Sequence, residues 1–151
     1  MIFHLLLLTT LLAPFTTAED DHFRFDAILN CNLDKPFEFG MMYWEDDFLP
    51  HNVTRYYKNS GEKSVRVIRD TDMQGDGIGN LEYELYVRIH HTCNTRNRWM
   101  SVDFYMDDIP CWKTWYIVEF EVDLTNADEN KRIHPNVINR KFIYDGTKRL
   151  F

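Results

Sequence analysis

The stretch LEYELYVRIHHTCN, Leu81 to Asn94, decides the fold. Leu81, Tyr83, Leu85, Val87 and Ile89 fall on one side at a period of two, with Glu82, Glu84, Tyr86, Arg88 and His90 on the other, which is the pattern of a half-buried strand. A helix needs apolar residues recurring at three and four, and this stretch would scatter them around most of its circumference. The β-branched and aromatic content agrees. The strand ends at Cys93, where a sulfur is placed to fasten it to another part of the chain.

The same alternation recurs on both sides of this element. HFRFDAILNC sets Phe23, Phe25, Ala27 and Leu29 against Arg24, Asp26, Ile28 and Asn30, a first strand ending at Cys31. Phe37 to Trp44 is a second strand, apolar on both faces at Met41, Met42, Tyr43 and Trp44. Glu45 to Asn52 is a polar loop, Thr54 to Lys58 a short edge strand, and Asn59, Ser60, Gly61 a tight turn. Ser64 to Arg69 returns as a strand, and Asp70 to Asn80 is a second polar loop. Trp99 to Met106 and Trp112 to Leu124 are the last two strands, the latter with Tyr116, Val118, Phe120, Val122 and Leu124 on one face. No long amphipathic helix interrupts the series, so the chain is expected to be an all-β, two-sheet sandwich of about seven or eight strands, of transthyretin-like or immunoglobulin-like topology.

With 151 residues the chain suits one domain with a real core. Met1 to Ala18 carries an apolar run from Leu5 to Leu12 and a small-x-small end at Thr16, Thr17, Ala18. It reads as a cleaved secretory signal peptide and not as an anchor, because the run is shorter than the roughly 20 residues a span needs. The expected division is therefore a signal at 1–18, a sandwich domain at 19–125, and at 126–151 a basic tail or one added edge strand. The mature protein is expected to be secreted and not membrane-spanning. Formal net charge is −7, which argues against nucleic acid as a partner, since phosphate binding wants a basic face. Asn52, Val53, Thr54 forms an N-x-[ST] sequon at Asn52, open to either an occupied or an unused reading. Secretion favours oxidised cysteines, and of the three one must be left over.

Several residue groups invite a chemical reading. His90 and His91 point to opposite faces of a strand and do not easily share an ion. His51 and His134 lie far off in sequence, and neither HExxH nor CxxC spacing occurs. Asp70, Asp72 and Asp76, with Gly75 and Gly77, resemble a calcium loop, but Gln74 and Leu81 stand where an EF-hand wants oxygen ligands, so a solvated turn is favoured. Nothing in the sequence suggests a Ser, His, Asp triad or a Gly-x-Ser-x-Gly elbow. Trp44, Trp99 and Trp115, with Tyr43 and Tyr105, fall on faces that the alternation does not assign to the core. They are read either as an interface or as a second buried side of the sandwich.

The order of pieces resembles the nematode transthyretin-like family of small secreted β-sandwich proteins. The likeness lies in Leu29, Asn30, Cys31 followed by a turn at Lys35 and Pro36, in Asn59, Ser60, Gly61, and in His91, Thr92, Cys93, Asn94, similar to the family's Tyr-His-x-Cys-Asn strand end. It covers about Phe23 to Leu124. It implies a disulfide between Cys31 and Cys93, leaving Cys111 either as an exposed thiol able to form a covalent homodimer or as a small apolar residue beside Trp112. Hydroxyisourate hydrolases similar to transthyretin end in Tyr-Arg-Gly-Ser. Here Tyr144, Asp145, Gly146, Thr147 puts an anion where the cation belongs, and the N-terminal catalytic histidine is missing. The resemblance thus implies a non-enzymatic, cofactor-free binding protein that recognises an extracellular protein or cell-surface partner. A carrier of a small apolar ligand is the alternative, and a calcium-dependent adhesion module a lesser one.

Overall fold

Phe23, Phe25, Ala27 and Leu29 must leave water on one side of a single strand, and the chain meets that demand by laying this strand between two others and closing a second sheet over it. The structure is a computed structural model that describes residues 20–47, 49–74, 82–106, 108–111 and 115–128, and the backbone strand at 136–143. The expected signal peptide, Asp76, Trp112 and most of the 126–151 segment lie outside the described residues. Among the described residues there is no helix.

The strands are β1 (Asp21–Asn30), β2 (Phe37–Glu45), β3 (His51–Asn52), β4 (Tyr57–Gly61), β5 (Ser64–Met73), β6 (Glu82–Tyr83), β7 (Leu85–His91), β8 (Met100–Tyr105), β9 (Ile109–Pro110), β10 (Trp115–Asp123) and β11 (Asn136–Ile143). One sheet has the order β11-β10-β1-β5; the other has β3-β2-β7-β8, with β4 also paired to β2. β1 runs antiparallel to β5 and parallel to β10, while β7 runs antiparallel to both of its neighbours, β2 and β8. The protein is an all-β sandwich.

Aromatic rings fill the space between the sheets. Phe25 of β1 stacks on Tyr43 of β2 with centroids 3.9 Å apart, and Tyr43 meets Phe120 of β10 edge-on. Phe23 stacks on Tyr116 at 4.6 Å and takes Tyr83 edge-on at 5.2 Å. Such offset and T-shaped pairs add to the burial of apolar area. The Tyr83 hydroxyl donates to Asp21 at 2.7 Å, and burial together with that contact raises its pKa.

Cys31 and Cys93 are joined, with Cα atoms 5.8 Å apart. The bond ties the end of β1 to the segment just past β7, and so links the two sheets. Backbone bonds from Cys31 N to Lys63 O and from Asn126 N to Cys93 O surround it.

Four boundaries differ from the sequence reading. The Leu81 strand divides at Glu84: β7 follows β2 only as far as the Glu45–Leu85 pair, and Glu82–Tyr83 then turns to pair with Ile109–Pro110. Asp70 and Asp72 belong to β5 and not to a loop, because β1 continues alongside and pairs with Met73 through Asp21. Asn59, Ser60, Gly61 is the end of edge strand β4, and the chain bends at Glu62 and Lys63 as it passes from one sheet to the other. Gly61 is needed there for close approach, since a Cβ would lie 1.9 Å from Val65 Cγ2. The expected 45–52 loop contains the short strand β3, antiparallel to the end of β2.

Two stability measurements follow from this core. Replacing Cys31 and Cys93 together by Ala is expected to lower the unfolding free energy by about 4 kcal/mol, the loop-closure entropy of a bridge spanning this sequence separation, read by urea titration. The Tyr43 hydroxyl is buried with no hydrogen-bond partner among the described residues. Tyr43→Phe is therefore expected to stabilise the protein by about 1 kcal/mol, because a desolvated, unpaired hydroxyl is removed while the ring stays.

Candidate functional site

Period-two alternation that sends Phe39, Met41 and Tyr43 inward sends Glu38, Gly40, Met42 and Trp44 to the outside of the same sheet. The register of β2, β7 and β8 then lines up outward side chains in rows. Trp44, Tyr86 and Tyr105 make one row, Met42, Arg88 and Asp103 the next, and Gly40, His90 and Ser101 a third. Alternate residues on a strand are about 6.8 Å apart, so the three rows extend the face by roughly 14 Å.

The first row is aromatic across three strands. Trp44 and Tyr86 have centroids 6.2 Å apart with planes 11° from parallel, and Tyr86 and Tyr105 are 5.1 Å apart at 26°. Tyr86 lies between them, buried, which pushes its hydroxyl pKa up. The middle row carries a two-pronged ion pair, Arg88 to Asp103 at 2.8 and 2.7 Å, and the Arg88 guanidinium sits 5.8 Å from both the Trp44 and Tyr86 ring centroids. Its hydrogen bond to Asp103 raises its pKa, so this cation is permanent.

In the third row Gly40 makes room for a ring. A Cβ there would lie 1.8 Å from the Tyr56 hydroxyl, so Tyr56 rests directly on the Gly40 backbone, with His90 beside it at 6.2 Å. Tyr56 and Trp99 are among the most exposed large apolar residues, at 50% and 49%. Lys58 Nζ lies 5.1 Å over the Trp99 ring and 3.8 Å from Glu38. An open groove of about 480 Å³ runs past Trp99 between Pro36, Glu38, Ser60, Thr92 and Asn97.

Asn94 shapes the turn that presents Trp99. Its buried carboxamide accepts from the backbone N–H of Arg96 and Arg98, each at 3.2 Å, and donates to the Arg98 carbonyl at 2.6 Å. Asn97 completes the turn with φ of 50°, a left-handed conformation that asparagine tolerates. Asparagine's preference for turns is the local signal for this role.

The aromatic residues singled out from the sequence do not form one group. Trp44, Tyr105 and Trp99 share the face just described. Tyr43 does not belong to an interface and takes the other reading, a buried side: it is fully buried against Phe25, because on β2 it has the opposite parity to Trp44. Trp115 lies on the outside of the other sheet, with His22 at 3.7 Å between centroids. Asn52 is exposed on β3, its side chain 3.4 Å from the Thr54 carbonyl. Cys111 is partly buried against the core.

Asp70 and Asp72 have side-chain partners on β1: Asp70 accepts from Arg24 at 2.8 Å, and Asp72 contacts His22. Asp76 lies outside the described residues, so no three-carboxylate set is placed here. His90 and His91 face opposite ways, as the alternation requires, His91 buried and His90 on the outer face. A group that sequence spacing alone did not reveal is Glu45, Asp47 and His51, brought together where β3 folds back on β2.

Comparison with protein-family models, with curated proteins and with solved structures returns no match.

His91 provides a pH test of this region. Its Nε2 lies 3.1 Å from the Ala127 carbonyl, while Nδ1 is buried with no partner among the described residues. Burial pushes its pKa below the ordinary 6.5, outweighing the Ala127 contact, which acts in the other direction, and neighbouring His90 adds to the lowering. A depressed value means that the unfolded chain takes up the proton first. The contribution to stability is thus whole above the ordinary histidine pKa and is lost as pH falls below it toward the folded-state value. The urea midpoint is expected to be lower at about pH 5 than at about pH 7.5, and His91→Gln to reduce that difference.

Proposed function

We propose that the protein is a non-enzymatic, extracellular binding protein of the transthyretin-like type, and that it engages a protein or cell-surface partner through the outer face of the β3-β2-β7-β8 sheet. The observation that carries this reading is the clustering of outward-facing Trp44, Tyr86, Tyr105, Tyr56 and Trp99 on that one sheet, the last two half exposed. Aromatic rings with a polar edge supply much of the binding energy of protein interfaces, and Arg88 and Lys58 over the rings add cations of the kind found with them.

Two further observations support the reading. The Cys31–Cys93 bond is the pairing the family resemblance implies, and disulfides persist in oxidising, extracellular surroundings. The space between the sheets is taken up by Phe25, Tyr43, Phe23 and Tyr116 in mutual contact, which favours the outer face over the interior as the place for a ligand.

The test is alanine substitution read by binding of the labelled protein to intact cells. Trp99→Ala and Tyr56→Ala are each expected to cost about 2 kcal/mol of binding free energy, as central interface aromatics do. Ile68→Ala, on the opposite sheet and also half exposed, is expected to leave binding unchanged. Equal losses at all three positions, or none, would sink the assignment of this face.

A further inference from the structure

At the end of β2 the chain places a carboxylate where carboxylates are seldom found. The Glu45 side chain is 4% exposed, and directly opposite it in the β2–β3 register stands His51, with Nε2 3.3 Å from Glu45 Oε2. Asp47 joins them from the connecting turn, its Oδ2 3.9 Å from His51 Nδ1. One donor atom from each of the three lies within 4.8 Å of the others.

From this arrangement we propose a binding site for a divalent, zinc-like transition-metal ion, with Glu45, His51 and Asp47 as the protein ligands and water in the remaining position. Donor spacing, donor type and charge all fit this class of ion. The separation of Glu45 Oε2 and His51 Nε2 matches the chord of a tetrahedral site, since metal–ligand bonds of about 2.0–2.1 Å set neighbouring donors about 3.4 Å apart. An imidazole nitrogen beside carboxylate oxygens suits zinc and its neighbours, whereas calcium and magnesium prefer oxygen alone. With neutral imidazole the trio carries two negative charges, which a divalent cation neutralises beside the buried Glu45 carboxylate.

The scaffold is prearranged for the two strand-borne donors. Trp44–Asn52 and Glu45–His51 pairing fixes the hairpin, Val53 N bonds to Tyr43 O at 2.9 Å, and Tyr43 N donates to Thr54 Oγ1 at 3.1 Å. Asp47, partly exposed in the turn, closes on the ion by rotation of its side chain. Trp44 adjoins Glu45 in the chain and heads the aromatic row, which gives the site a built-in fluorescent reporter.

The experiment is calorimetric titration of Zn²⁺ into the untagged, full-length protein, with Co²⁺ absorption in the visible as a second readout of ligand geometry. One zinc per chain and an intense, tetrahedral-type cobalt spectrum are expected, without competition from Mg²⁺. His51→Ala and Asp47→Asn, both at accessible positions compatible with folding, are each expected to weaken zinc binding at least about tenfold, while His90→Ala leaves it unchanged. Absence of zinc binding up to millimolar concentration, or binding that His51→Ala leaves intact, would overturn the proposal. Circular dichroism of each variant separates loss of the site from loss of the fold.

Discussion

Strand β1 is the member on which the two layers converge. It is hydrogen-bonded along its length on both sides, antiparallel to β5 and parallel to β10, and its last residue is followed by the cysteine that crosses to the other sheet. A parallel neighbour so distant in sequence as β10 requires the intervening chain to have formed the opposite sheet and returned. The Cys31–Cys93 bond shortens that excursion for the unfolded chain. Leu124 N bonding to Asn30 O, and Asn126 N to Cys93 O, draw the end of β10 into the same junction. The sheets are thus joined covalently at one end and by the Phe25–Tyr43 and Tyr43–Phe120 ring contacts between them, while Tyr83 ties the β6-β9 ribbon to Phe23 of β1.

The location of the outer aromatic face follows from that interior. With β1 presenting Phe25, the second sheet must offer a ring of matching size, and Tyr43 does so. Once Tyr43 is inside, Trp44 is outside, and the register carries the same parity to Tyr86 and Tyr105. The core therefore sets which aromatics lie on the outer face of this sheet. Likewise Glu45, inward by parity at the sandwich rim, acquires its buried carboxylate because Tyr43 two residues earlier is fixed in the core.

Much of this was legible in the alternation. Phe23 to Leu29, Val87 and Ile89, and Tyr116 to Leu124 have polar residues between the apolar ones except at Ile28 and Ile117, and their inward faces follow the alternation. Where both parities are apolar, as in Met41, Met42, Tyr43 and Trp44, periodicity has no phase, and it leaves Tyr43 open between an interface and a second buried side. Asn59, Ser60, Gly61 has turn composition but serves as strand because β2 lies alongside, a tertiary contact overriding local preference. The meeting of Glu45 with His51 depends on a hairpin register, and a polar run such as EDDFLPHN does not disclose one. Pro50 just before His51 was the available hint, since proline commonly stands at the start of an edge strand.

The two outer faces differ in a way that bears on function. On the β11-β10-β1-β5 sheet the outward side chains of β1 and β5 satisfy one another: Arg24 with Asp70, Arg66 with Asp26, His22 with Asp72. The exposed Arg24–Asp70 pair contributes little to stability, but it leaves water facing charges that already have partners. On the opposite sheet Arg88 is held by Asp103 and Lys58 lies near Glu38, yet both cations also overlie aromatic rings. A partner that covers those rings removes apolar surface from water without having to strip an unpaired charge, since each cation keeps its carboxylate. Desolvation of an unpaired ion is what most often makes a polar surface resist association. Apolar rings beside already paired ions therefore support the proposed choice of this sheet as the recognition face.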